Sequence, residues 1–194
     1  ATVSFTTAGR VEVGGKVKLV MPDEAGAQHS WRFADNKNPS VETDGTNNPP
    51  AIAFTTPGAD APTAGTVGYT VNTRTLIFTV GDNDLKQATA HVFTVTNALT
   101  PSSIVGASNV VCTTQDAQDK DVDTTSSMAT DDITAGTLAT ATFATATDTP
   151  GFESVATVSF TTAGRVEVGG KVKLVMPDEA GAQHSWRFAD NKNP

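Results

Sequence analysis

Apolar and polar side chains alternate with a period of two along most of the chain, in stretches bounded by Gly, Pro, Asn and Asp. That period puts successive side chains on opposite faces of an extended backbone, so each stretch predicts a strand with one apolar face. Val3 and Phe5 alternate with Thr2, Ser4 and Thr6, and Val17, Leu19 and Met21 alternate with Lys16 and Lys18. The run from His29 to Phe33 sets Trp31 and Phe33 on one face and Ser30 and Arg32 on the other. Further strands are predicted over 51–56, 66–71, 75–80, 88–96, 108–114 and 137–147, with Leu76, Phe78 and Val80 sharing a face and Phe93 and Val95 another. Turns are predicted at Ala8-Gly9-Arg10, Val13-Gly14-Gly15, Pro22-Asp23, Asn48-Pro49-Pro50 and Gly81-Asp82-Asn83-Asp84. No window of about 12 residues carries a helical stripe, and a Thr-rich, Leu-poor chain disfavours helices.

Short strands at this spacing predict an all-β fold, an antiparallel sandwich or barrel, and a two-sheet sandwich is favoured because no segment suits the lining of a ligand-holding barrel. The sequence also repeats itself. Residues 156–194 match residues 1–39 letter for letter, a period of 155 (156 less 1), so the 194 residues are one unit and the first quarter of the next. The sandwich is therefore expected in tandem. The segment 115–132 (QDAQDKDVDTTSSMATDD) carries six aspartates against one lysine and reads as a linker. On that reading 1–114 is a sandwich unit lacking its first strands, and 133–194 holds the first strands of the next identical unit. Without an initiator Met or a leader-like start, the chain reads as a slice of a longer one.

Charge narrows the partners. The repeated 39-residue segment has five basic and four acidic residues, which leaves 8 basic (13 less 5) and 17 acidic (21 less 4) in one full unit, net −9. Between residues 40 and 155 only Arg74, Lys86 and Lys120 are basic. An array would carry that negative charge in every unit, which keeps it soluble and opposes contact with phosphates. Neither nucleic acid nor an anionic membrane surface is an expected partner. No apolar stretch approaches the ~20 residues of a spanning helix, so no membrane insertion is expected.

The order Ala135-Gly-Thr-Leu…Ala156-Thr-Val-Ser-Phe-Thr-Thr-Ala-Gly-Arg-Val-Glu-Val-Gly-Gly-Lys-Val-Lys-Leu-Val-Met-Pro resembles the tandem Ig-like repeats of very large secreted or cell-surface proteins of algae and other protists. Those repeats show a V-S-F-T-T…G-G-K-I…P passage and, near the domain end, an N-P-S…T-x-D passage. Here Asn97-Ala-Leu-Thr-Pro-Ser-Ser and Thr113-Thr-Gln-Asp stand in the latter place, with an extra Ala-Leu-Thr after Asn97. The resemblance spans nearly the whole unit and rests on strand-and-turn patterns. It implies an extracellular structural module in a long array and carries no catalytic residues.

Chemistry-bearing positions are few. Asp116, Asp119, Asp121 and Asp123 have the carboxylate density that suits calcium, although their spacing lacks the Gly and Glu of an EF-hand loop; a solvated acidic linker is the plainer account. Calcium is the one cofactor considered. Asn38-Pro39-Ser40 has the proline that forbids N-glycosylation, whereas Thr124, Thr125, Ser126 and Ser127 lie in a Thr/Ser/Ala-rich stretch suited to O-linked glycans. His29, its copy His184, and His91 show no zinc-ligand spacing, no serine lies in a Gly-x-Ser-x-Gly elbow, and Val13-Gly-Gly-Lys lacks the rest of a Walker loop. Trp31 and its copy Trp186 read as core tryptophans before sugar platforms. Cys112, the one cysteine, reads as a small buried hydrophobe.

Exact repetition suits a filament, since each unit of an array contacts mainly its neighbours and length is added without redesign. The expected function is a non-enzymatic structural repeat of an extracellular or cell-surface filament, sheath or appendage, its main partner being itself. An adhesin module binding glycans or a protein partner is the alternative. Thr157, Val158, Ser159, Phe160 and Thr161 are expected to make the inter-unit contact, by completing a sheet begun upstream. O-glycans within 113–149 predict a loss of intact mass on chemical deglycosylation of the native protein; an unchanged mass removes them.

Overall fold

The computed structural model describes residues 1–23, 31–33, 50–55, 61–70, 73–164, 166 and 169–177. It is all-β among these residues and divides into two compact units, Ala1–Thr134 and Ala135–Pro194. The first unit holds β1 (Thr2–Thr6), β2 (Lys16–Val20), β3 (Ile52–Phe54), β4 (Ala64–Thr70), β5 (Thr75–Val80), β6 (Ala90–Val95), β7 (Asn109–Gln115) and β8 (Asp121–Ala129). The second holds β9 (Ala139–Thr145) and β10 (Ala156–Thr161).

Two antiparallel sheets build the first unit, one ordered β1-β6-β3 and the other β4-β5-β2-β7-β8. The central strand β2 pairs Val17 with Phe78 and Leu19 with Leu76 on one side, and Val17 with Thr114 and Leu19 with Cys112 on the other. Directly opposed residues share a face, so these registers gather the apolar positions of three strands into one surface. Val17, Leu19, Leu76, Phe78, Val80, Val110 and Cys112 are all buried there. The smaller sheet faces them with Val3, Phe93 and Val95 in the same core. Phe78 crosses between the layers, edge to face with Phe93 at a ring-centroid distance of 5.0 Å and with Phe54 at 5.9 Å. Such pairs add to the burial of the rings themselves.

Tight turns set these registers. Gly14 sits at φ +88° in the turn after Val11, a conformation that L side chains rarely adopt. A Cβ on the next residue, Gly15, would come within 2.6 Å of the Gln115 carbonyl. Gly14 donates its N–H to Val80 and Gly15 donates to Glu12, so the turn locks β2 against β5. The other loop at this end uses Asn83 at positive φ within the Gly81–Asp84 turn.

The 115–132 segment is not a linker. Residues 116–120 form a hairpin turn, and Asp121–Ala129 run back as β8 along β7. An edge strand needs only a partial apolar face, and Val122 and Met128 supply it by packing against the core. The first unit therefore continues to Thr134 rather than ending at 114. Arg32 also departs from expectation: it forms an isolated bridge with Leu99 and is buried, as is its neighbour Phe33. The calls on His29, Ser30 and Asn48-Pro49 lie outside the described residues. Replacing Phe78 by Ala empties the junction between the layers and should cost about 3–5 kcal/mol of unfolding free energy. Urea denaturation of the two proteins measures it.

Candidate functional site

The four aspartates singled out for calcium are distributed along the β7–β8 hairpin, and each is held by a protein partner. Asp116 closes the turn, its Oδ1 accepting the Gln118 and Lys120 backbone N–H groups at 2.9 Å each. Asp119, at positive φ, pairs with Lys16. Asp121 accepts a hydrogen bond from the Gln115 side-chain amide at 2.9 Å. Asp123 reaches across to the β1–β2 corner, accepting the Gly9 N–H at 3.1 and 3.3 Å, and it also accepts the Thr114 hydroxyl at 3.2 Å. Among the described residues no three His, Cys, Asp or Glu groups converge to hold a metal ion. The carboxylates act as turn and corner acceptors, a use that carboxylates share with calcium ligands in sequence.

Thr124, Thr125, Ser126 and Ser127 lie on β8, the outer strand of the larger sheet. Thr124, Ser126 and Ser127 are exposed and Thr125 is half-buried. The Thr113 and Thr124 hydroxyls lie 3.3 Å apart across the ladder, and those of Thr125 and Ser127 are 3.0 Å apart.

Thr157, Val158, Ser159, Phe160 and Thr161 all fall on β10, whose ladder partner is β9. Among the described residues their ladder partner is 139–145, the strand just before β10, where a sheet begun upstream was expected to supply it. The pairs Thr157↔Ala144, Val158↔Phe143 and Ser159↔Thr142 set the register, with an irregularity before Thr161↔Ala139. Near it Thr140 adopts φ 50° and its hydroxyl lies 3.2 Å from that of Thr161.

Four further groups carry unusual electrostatics. The His91 imidazole is buried beneath Phe5, with ring centroids 5.8 Å apart, and its Nδ1 has no hydrogen-bond partner. Burial pushes its pKa below the ordinary histidine value, against a weak opposing contact of Nε2 with the Lys86 carbonyl at 3.4 Å. Burial, then the Asp123 charge, pushes the Cys112 thiol up to about 12, which disfavours the thiolate. At the surface Arg10 and Asp84 form an ion pair, and Asp84 also accepts the Val13 N–H at 2.9 Å. The Arg10 hydrogen bond holds the Asp84 carboxyl below its usual value. An open cleft of about 550 Å³ lined by Arg10, Val13, Asn83, Asp84 and Lys86 lies beside the pair. Sequence reading missed this corner, because Arg10 and Asp84 are far apart in the chain and each resembles an ordinary turn residue.

Nothing matches this chain among the protein-family models, the curated proteins or the solved structures.

The depressed His91 pKa fixes a pH dependence. As pH falls below about 6.5 the unfolded chain takes up a proton that folded His91 resists, so the stability present at higher pH is lost on acidification. A single proton bounds the slope of this loss at ~1.4 kcal/mol per pH unit. His91→Phe should shrink the stability difference between about pH 7.5 and about pH 5 in urea unfolding. An unchanged difference would assign it to other groups.

Proposed function

We propose that this chain is a stretch of a tandem array of Ig-like β-sandwiches, serving as the structural repeat of an extracellular or cell-surface filament, sheath or appendage. The observation that carries the proposal is the identity of 156–194 with 1–39. Identical sequence at a fixed period means one structural solution used again, which extends a shaft and adds nothing to a single catalytic centre. The division of the chain at 134/135 supports it, since the second unit starts before the sequence repeat does and so belongs to the next turn of the pattern. The two-sheet core and the acidic surface support it as well.

In mechanical terms each unit resists extension through its ladders and buried aromatic contacts, and the negative charge of neighbouring units opposes collapse into bundles. The fate of the chemistry-bearing residues agrees with a non-enzymatic role. Cys112 is buried with its thiol pKa raised, His91 is packed under Phe5, and the hairpin carboxylates are engaged by backbone N–H groups (Asp116, Asp123), Lys16 (Asp119) and Gln115 (Asp121). The cleft at Arg10 and Asp84 offers charge and not an aromatic platform, so the shaft takes precedence over the adhesin.

Electron microscopy of the native material tests the proposal. Filaments with an axial repeat matching one sandwich are expected, and isolated monomers would overturn it.

A further inference from the structure

We propose that the outer edge of β1 receives a strand with the sequence of β9, supplied by the 135–155 segment of a second, preceding copy of the unit. The proposal rests on the array reading and names the partner surface within it. In the resulting sheet, ordered β9-β1-β6-β3, the first strand comes from across the sequence boundary.

The argument turns on which backbone groups β1 has already used. In its ladder with β6, Ala1 both accepts the Val95 N–H and donates to the Val95 carbonyl, at 2.8 Å each. Two residues at a time along the strand the pattern recurs, and Thr7 donates to Thr89 at 3.2 Å and accepts from Ala88 at 2.8 Å. Bonded positions in an antiparallel ladder alternate. Ala1, Val3, Phe5 and Thr7 therefore face β6, and Thr2, Ser4 and Thr6 turn their N–H and C=O groups outward. Among the described residues β1 ends its sheet, and none of them pairs with that row.

β10 is the same sequence, and it shows what fits that outward row. The Val155 carbonyl accepts the Ala146 N–H at 2.9 Å, which by the same alternation puts Thr157, Ser159 and Thr161 in the bonded positions toward β9. These three are the counterparts of Thr2, Ser4 and Thr6 at the 155-residue period. The β9 ladder thus uses the set of groups that β6 leaves alone. A β9 strand can join β1 in this register while every bond to β6 stays in place.

Side chains agree with the backbone. Phe143 lies opposite Val158, the counterpart of Val3, so an added strand would set a phenylalanine beside Val3 at the margin of the core. Val3 is 9% exposed and Phe143 38% exposed, and the addition would cover both. Gly136 passes so near Ala163, the counterpart of Ala8, that a Cβ on it would come within 2.5 Å of the alanine Cβ. β1 itself has no charge or proline between Thr2 and Thr6, the devices that usually guard an open edge.

Residue-resolved amide exchange tests the addition. The full chain is compared with the same chain carrying the 135–155 sequence ahead of Ala1. The extension should slow exchange at Thr2, Ser4 and Thr6 by at least about tenfold, while Val3 and Phe5, already bonded to β6, change little. Unchanged exchange at the three outward amides overturns the proposal. A second extended chain with the counterpart of Gly136→Val should lose the added protection and keep that of Val3 and Phe5, which reports the unit as still folded. Added protection that survives this substitution also overturns the proposed packing. Isolated monomers under the microscope would remove the filament and leave this exchange pattern standing; unchanged exchange in a filamentous protein would remove the strand addition alone.

Discussion

Phe78 and Phe93 meet edge to face between the two sheets, and the rest of the first unit is arranged so that they can. One comes from β5 in the larger sheet and the other from β6 in the smaller. Phe54 closes on both, which ties the short strand β3 into the same contact. Around this point each strand contributes alternate residues, and β2 lies between β5 and β7 with its apolar side turned to the aromatic ring stack. A layer that lost the contact would have an apolar face open to water and no partner for it. Tyr69 and Phe33 form a second edge-to-face pair at 5.7 Å, and the Tyr69 hydroxyl donates to the Trp31 carbonyl at 3.2 Å. That pair secures the β4 side of the unit.

The second constraint is at the edges. Strand ends of a sheet present unpaired backbone groups, and a repeating protein meets this problem in every unit. The larger sheet ends in β8, whose Asp, Ser and Thr side chains dress the outer row with polar groups. The smaller sheet ends in β1, an uncharged strand of Thr, Val, Ser and Phe. These two of the four edge strands are chemically unlike.

Most strands could be read from the period-two pattern, because each buries one face and the pattern records which. The spans around Val3, Leu19, Phe78, Phe93 and Cys112 fall within a residue or two of the observed ones. β8 could not, since its residues obey two demands together. Asp116 and Asp123 serve backbone N–H groups at the turn and at Gly9, while Val122 and Met128 serve the core. Mixed in one short stretch, the carboxylates hide the alternation and the composition looks like a linker. The same rule sets Arg32 on the face opposite Trp31 and Phe33, yet Arg32 is as buried as Phe33 and bridges to Leu99.

The repeat separates the two levels of information within one molecule. Thr2–Thr6 and its copy both form a strand, β1 and β10, so for this segment sequence alone determined the outcome. Its alternation and β-branched residues favour an extended backbone wherever a partner edge is near. Lys16–Val20 forms β2 in the first unit, whereas its copy at 171–175 forms no strand. Val17 and Leu19 are 0% and 1% exposed, and Val172 and Leu174, identical in sequence, are 61% and 45% exposed. Val11 at 0% and Val166 at 55% repeat the contrast. The difference lies in β5 and β7, which flank the first copy and supply both its hydrogen bonds and its apolar cover. Sequence determined which face of the strand is apolar; whether that face is buried, and whether the strand exists, was decided by partners about sixty and about ninety-five residues further along, because ladder bonds and burial are made between segments and not within one.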